Sequence, residues 1–128
     1  TIEATNLKHR VKLIGKITEA EKYGYLKGCA AFVFPSLLEG FGIPPIEAMR
    51  FGKPVFLSNL TSLPEIGGKY AFYWDNFDPK EMAKTLENGM TKYHVNRKEY
   101  TNAYFQRAKS FNWNTTALKY AEVYRGLF

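Results

Sequence analysis

The sequence predicts an α/β fold, a parallel sheet with flanking helices built around a single core. Short apolar runs of strand length, Val11–Gly15, Ala31–Phe34 and Pro54–Leu57, alternate with segments of helical pattern, and strands joined through helices lie parallel. The run within CAAFVFPS is apolar throughout, as in strands covered on both faces. A chain of 128 residues, 45% hydrophobic and 16% aromatic, can fill one such core and is too short for two ordinary domains.

Val11 to Gly15 (VKLIG) is the first expected strand. Thr18 to Lys27 follows as a helix, closed by Gly28 in the way helix C-termini favour. Ala31–Phe34 forms the second strand, Pro44–Phe51 a helix closed by Gly52, and Pro54–Leu57 the third strand. A helical turn begun by Ser62, Leu63, Pro64 and Glu65 leads to a fourth strand at Ala71–Trp74. Three helices over about 79–128 finish the chain. Met82, Leu86, Met90 and Tyr93 share a face of the first, Tyr100, Tyr104, Ala108 and Phe111 of the second, and Ala117, Tyr120, Tyr124 and Phe128 of the third. These stripes read as core or docking surface, against the sheet or against a domain outside the sequence. The opening at Thr1 rather than Met, almost at once into a strand, reads as an excised piece, so residues 1–128 are taken as a single truncated domain.

Composition removes several classes of function. The formal charge is +6, from 18 Lys plus Arg against 12 Asp plus Glu, which favours anions in general. The basic residues are scattered along helical stretches with no dense block and no groove-reading motif, so nucleic acid is not an expected partner, while peripheral contact with an acidic membrane leaflet stays open. The longest apolar run, Cys29–Phe34, falls far short of the roughly 18 to 20 residues of a membrane span. Cys29 is the single cysteine, which points to a reducing, cytoplasmic setting, and its place beside a strand makes it a small core residue. His9 and His94 have no partner at metal-ligand spacing, and neither a Walker A element nor a G-x-G-x-x-G fingerprint occurs.

The helix starts carry the strongest functional signal. Thr18 with Glu21, Ser62 with Glu65, Asp78 with Glu81 and Asn96 with Glu99 each place a polar N-cap three residues before a Glu, and Asn114 precedes the last helix. The helix starting near Pro44 is the exception, because Glu39-Gly-Phe-Gly-Ile43 offers no side chain to cap it. An uncapped N-terminus presents unpaired N–H groups and the positive end of the helix dipole, and the two glycines let a diphosphate come close. The loop also follows a parallel strand at its carboxyl end, where ligands of open α/β folds bind. An apolar turn capped by water is the alternative. Glu47, expected in the first turn, either answers the helix dipole or accepts hydrogen bonds from two vicinal ribose hydroxyls. Glu39 can reach sugar hydroxyls or the reacting centre. An aspartate at Gly42 would cap the helix and exclude the diphosphate, provided the backbone admits it.

The stretch Glu39-Gly-Phe-Gly-Ile-Pro-Pro-Ile-Glu47-Ala-Met, with Gly52-Lys-Pro-Val after it, resembles the signature of family 4 glycosyltransferases (glycosyl transferases group 1). Val11-Lys-Leu-Ile-Gly, Ala31-Phe-Val-Phe-Pro-Ser, Leu63-Pro-Glu-Ile-Gly and Ala108-Lys-Ser-Phe-Asn-Trp113 extend the likeness over nearly the whole chain. The resemblance implies the carboxyl-terminal, Rossmann-like domain of a two-domain GT-B enzyme, which retains anomeric configuration and needs no metal or other cofactor. It implies that Glu47 binds the ribose, Glu39 is the catalytic contact to the donor sugar, and Gly40, Phe41, Gly42 and Ile43 face the sugar or diphosphate. Gly15, Lys16 and Ile17 resemble the loop beside the base. The donor would be a UDP-, GDP- or ADP-linked sugar, and the acceptor a glycan or lipid-linked sugar held by the other domain, at the inner face of a membrane during synthesis of cell-surface polysaccharide. A basic pair that grips the diphosphate in the family would precede Val11, and Gly67-Gly68-Lys69 stands where many relatives carry an acidic residue. An epimerase or phosphorylase on the same scaffold, or a non-catalytic nucleotide-binding module, are the alternatives; a glycosidase would require a carboxylate separation that the sequence does not give.

Overall fold

The computed structural model describes residues 7 and 9–127. In chain order the elements are α1 (Glu19–Gly28), β1 (Phe32–Phe34), α2 (Ile43–Arg50), β2 (Val55–Ser58), α3 (Leu63–Gly67), a 3-10 turn (Gly68–Tyr70), β3 (Phe72–Trp74), α4 (Pro79–Val95), α5 (Arg97–Ser110) and α6 (Trp113–Arg125). The strands lie in the order β1-β2-β3, all parallel, with Phe32 opposite Val55 and Phe56 opposite Phe72. β2 has a neighbour on each side and all four of its residues are buried, as a continuous apolar run in the middle of a parallel sheet should be.

Helices cover both faces of this sheet. Successive strand residues point to opposite sides; Leu57 meets α3, while Phe56 meets α4 at Gly89. A Cβ at Gly89 would lie 2.5 Å from the Phe56 ring, so glycine is what lets α4 approach the sheet. Phe56 stacks on Phe72 at 4.8 Å between centroids. Under the other face, Ile46 and Met49 of α2, Leu63 and Ile66 of α3 and Tyr104 and Ala108 of α5 close one cluster around Val55 and Leu57. Each large side chain so buried contributes about 1.5–3 kcal/mol. The enclosed polar tips are all answered: the Tyr93 hydroxyl donates to the Gly52 carbonyl at 3.0 Å, and the Tyr104 hydroxyl to that of Tyr70 at 2.8 Å.

Several expectations are corrected. Val11–Gly15 forms no strand: Val11, Leu13 and Ile14 are exposed, and the segment pairs with no strand among the described residues. An exposed segment with no strand beside it leaves its backbone groups mostly to water rather than to a ladder. β1 is not wholly buried either, because among the described residues only β2 flanks it, and Val33 is 47% exposed. The stripes of α4 and α5 face inward, but Ala117, Tyr120 and Tyr124 of α6 are exposed and no described residue of that helix is buried; Phe128 lies outside the described residues. Gly28 ends α1 inside the helix, with Cys29 as its cap.

Candidate functional site

Two loops meet at the carboxyl ends of the parallel strands, residues 35–42 after β1 and 59–62 after β2. A chain of hydroxyls joins them. Ser58, fully buried at the end of β2, donates to the Ser36 carbonyl at 2.5 Å, and Ser36 donates to a Glu39 carboxylate oxygen at 2.9 Å. The Glu39 amide donates to the Thr61 hydroxyl at 3.4 Å, while Ser62 bonds the carbonyls of Glu39 at 3.2 Å and Phe41 at 3.0 Å. Ser62 therefore does not cap α3 as expected; its hydroxyl is spent on the neighbouring loop. From the far side, Phe41 meets Phe111 edge-on at 5.9 Å, and Arg107 lies over Phe111 while donating to the carbonyls of Ile66 and Glu65 at the end of α3.

α2 starts as the sequence implies, with Gly42 as N-cap and no side-chain cap. The amides of Gly42 and Ile43 have no acceptor among the described residues. The open set is smaller than four, since Pro44 and Pro45 occupy the next two positions and have no N–H. Gly42 has φ 103° and ψ 53°, and a Cβ there would stand 3.0 Å from Leu63 Cδ2. Aspartate is therefore unsuited to this position, which removes the expected stabilising cap. The other caps divide. Thr18 and Glu21 form the complete capping box, and Asp78 accepts from the amides of Lys80 and Glu81. Asn96 makes no side-chain cap, and α6 is capped by Asn112 rather than Asn114 because it begins two residues earlier.

Glu47 lies in the second turn of α2 rather than the first. Its side chain is only 17% exposed, and Oε1 accepts a 2.8 Å ion-paired hydrogen bond from Lys22 of α1. These carboxylates hold the Lys22 ammonium well above its ordinary range, the Glu47 bond first and the Glu19 bond second. Gly15, Lys16 and Ile17 lead into α1, with Gly15 in the left-handed region at φ 62°. The structure thus gathers Glu39, Gly40, Phe41 and Gly42 in one loop, with Ile43 as the first residue of α2 and Glu47 in the second turn of that helix. Gly15–Ile17 makes no hydrogen bond to that loop among the described residues. A surface hollow lies between Arg50, Phe105 and Phe111. No group of three or more His, Cys, Asp or Glu among the described residues could hold a metal, and no described helix is long and apolar enough to cross a membrane.

The model of the glycosyl transferases group 1 family matches residues 1–107. The chain belongs to that family. Among relatives of this group 1 glycosyltransferase chain, the serotype-specific mannosyltransferase WbdA of Escherichia coli is 39% identical over 103 residues, covering 80% of this chain and 12% of the relative. The O-antigen chain mannosyltransferase B of Escherichia coli is 32% identical over 116 residues, 90% of this chain and 30% of the other. Sucrose-phosphate synthase from Thermosynechococcus elongatus superposes with a TM-score of 0.77 at 27% identity, over 99% of this chain and 32% of that one. The catalytic domain of starch synthase IV from Arabidopsis thaliana shares the fold, with a TM-score of 0.70. The chain thus spans about a third or less of the proteins it resembles, and its α/β architecture is part of a GT-B glycosyltransferase fold.

The hydroxyls of Ser36, Ser58, Thr61 and Ser62, and the cations of Lys22 and Arg107, were not legible as part of the site. Only Ser62 gave a local signal, as the cap residue before α3. The Ser36 hydroxyl reaches Glu39 across three positions, whereas Ser58, Lys22 and Arg107 make their contacts across 22 to 42 positions of sequence.

Proposed function

We propose that this group 1 glycosyltransferase chain holds the nucleotide-activated sugar in a longer enzyme, which passes a hexosyl group to an acceptor glycan or lipid-linked sugar with retention of configuration. The observation that carries the reading is the open start of α2: two unpartnered amides at the carboxyl edge of a parallel sheet, with Glu39 fastened in the loop before them and Glu47 on the helix after them. In this reading Glu47 accepts from the ribose hydroxyls, Glu39 contacts the donor sugar, and Gly15–Ile17 lies beside the base. Gly40 and Phe41 line the approach to the sugar.

During transfer the bond from the anomeric carbon to the diphosphate breaks, and the acceptor oxygen bonds the same face of the sugar. The acceptor proton leaves with the diphosphate, where negative charge accumulates. The amides of Gly42 and Ile43, with the α2 dipole behind them, stabilise that charge without a metal. Mannose as the sugar is supported by the two mannosyltransferases among the relatives, and cell-surface polysaccharide at the inner face of the membrane is the corresponding setting. A hydrogen bond to a charged group contributes about 1.5–3 kcal/mol, so Glu47→Ala in the full-length protein is expected to weaken the binding of UDP, GDP or ADP about tenfold or more. Calorimetry reads this directly; unchanged affinity in a normally folded variant would leave Glu47 as a tie between α1 and α2 and nothing more.

A further inference from the structure

A carboxylate that must take two hydroxyls of a ribose needs a fixed orientation as well as a charge. Glu47 is mostly enclosed, and the single partner it has among the described residues is Lys22, at 2.8 Å from Oε1. Oε2 accepts nothing from the described residues. Lys22 is itself held at several points. It lies 2.9 Å from a Glu19 oxygen and 5.2 Å from the centroid of the Tyr23 ring, and it sits on a helix whose first turn is closed by the Thr18–Glu21 capping box. Tyr23 in turn packs against Phe51 at the end of α2, 6.0 Å between centroids. The ammonium is thereby anchored on α1 and points at a carboxylate on α2.

We propose that Lys22 is a positioning residue for the nucleotide: by occupying one lone pair of Glu47 Oε1 it sets the carboxylate so that Oε2 and the remaining Oε1 lone pair face a vicinal diol. A carboxylate offers about four acceptor sites and an ammonium three donors, so neither group is exhausted by the pair. The same ammonium offsets the charge of Glu47 and Glu19 next to a site that has to admit a diphosphate. The inference rests on the ribose role of Glu47.

The test is a comparison of ribo- and 2′-deoxynucleotides in the full-length protein. UDP, GDP and ADP and their 2′-deoxy counterparts are titrated by calorimetry into the wild type and into Lys22→Met, Lys22→Gln and Lys22→Arg, with melting curves to confirm folding. The wild type is expected to prefer the ribonucleotide about tenfold or more, the scale of one hydrogen bond to a charged group. Lys22→Met and Lys22→Gln are expected to lose most of that preference and Lys22→Arg to keep it. A role confined to fastening α1 on α2 would lower the melting temperature without altering the ratio. A ribose preference that survives intact, or grows, in both uncharged variants overturns the role of Lys22 while leaving that of Glu47 standing. A wild type with no preference overturns the ribose reading itself. Should the uncharged variants fail to fold, Glu19→Gln with Tyr23→Leu decides, because it strips the Lys22 ammonium of its anchors on α1 while leaving Lys22 and Glu47 in place: a ribose preference lost in this variant supports the positioning role, and one kept unchanged overturns it.

Discussion

Gly42 serves packing at the start of α2, and the proposed function gives it a binding role as well. Its left-handed backbone turns the chain into α2, and the missing Cβ leaves room for Leu63 at the start of α3. Gly42→Ala brings both costs together, strained φ and a 3.0 Å contact, and is expected to destabilise the chain by about 1–3 kcal/mol. Denaturant unfolding measures it; a midpoint equal to the wild type would mean that the loop relaxes freely and that the amides are not held in place. The glycine and the lack of a polar cap were legible in the sequence. The proline rings at Pro44 and Pro45 remove two further donors, so the anion site proposed at the start of α2 has two amides rather than four.

At the scale of elements, α1 and the loop before α2 are secured by different means. α1 relies on its own first turn, so Thr18→Ala, which removes the hydroxyl bound to the Glu21 amide, is expected to cost about 1 kcal/mol of stability, read as a fall in melting temperature. The loop relies on its neighbour. Ser62→Ala deprives α3 of no cap, since Ser62 provides none, and should leave the melting temperature close to that of the wild type. It does free the carbonyls of Glu39 and Phe41, and a reacting group displaced by about 1 Å can slow turnover up to a hundredfold. A fall in kcat of the full-length transferase, about tenfold or more, is the expected outcome. Wild-type kcat would show that Glu39 holds its position without Ser62. The sequence pattern assigned Ser62 to α3 because a Ser three residues before a Glu satisfies the local rule; the carbonyls it serves instead lie 21 and 23 residues away.

Across the whole molecule, the aromatic interior ties stability to alkaline pH. Burial pushes the Tyr73 hydroxyl from 10.0 up to about 12, and burial moves that of Tyr104 upward as well. The unfolded chain therefore releases these protons first. Their contribution is fully present below about pH 10 and is lost as pH rises through about 12. Circular dichroism melts across that window should show a falling midpoint, with the fall reduced in Tyr73→Phe. α6 makes the opposite contribution, because none of its described residues is buried. Ending the chain after Asn112 is expected to leave its melting temperature within about 2 °C, the effect of well under 1 kcal/mol in a domain of this size. A larger drop would mean that α6 packs on the core in solution.

What the sequence determined by itself is whatever depends on neighbours in the chain. The apolar runs of β2 and β3, the inward stripes of α4 and α5, the capping box of α1 and the uncapped start of α2 all follow from periodicity and local chemistry, and the signature from Glu39 to Glu47 is a contiguous string. The tertiary structure alone decided whether a locally plausible element finds a partner. Among the described residues, Val11–Gly15 has the side chains of a strand and no strand beside it, and α6 has an apolar stripe and no surface to cover it. The same holds for the pairings that shape the site, Lys22 with Glu47 and the serines with the Glu39 loop. Each joins positions 3 to 25 residues apart, and mostly across different elements, where the energy of a contact depends on a distance that only the packed sheet and helices can fix.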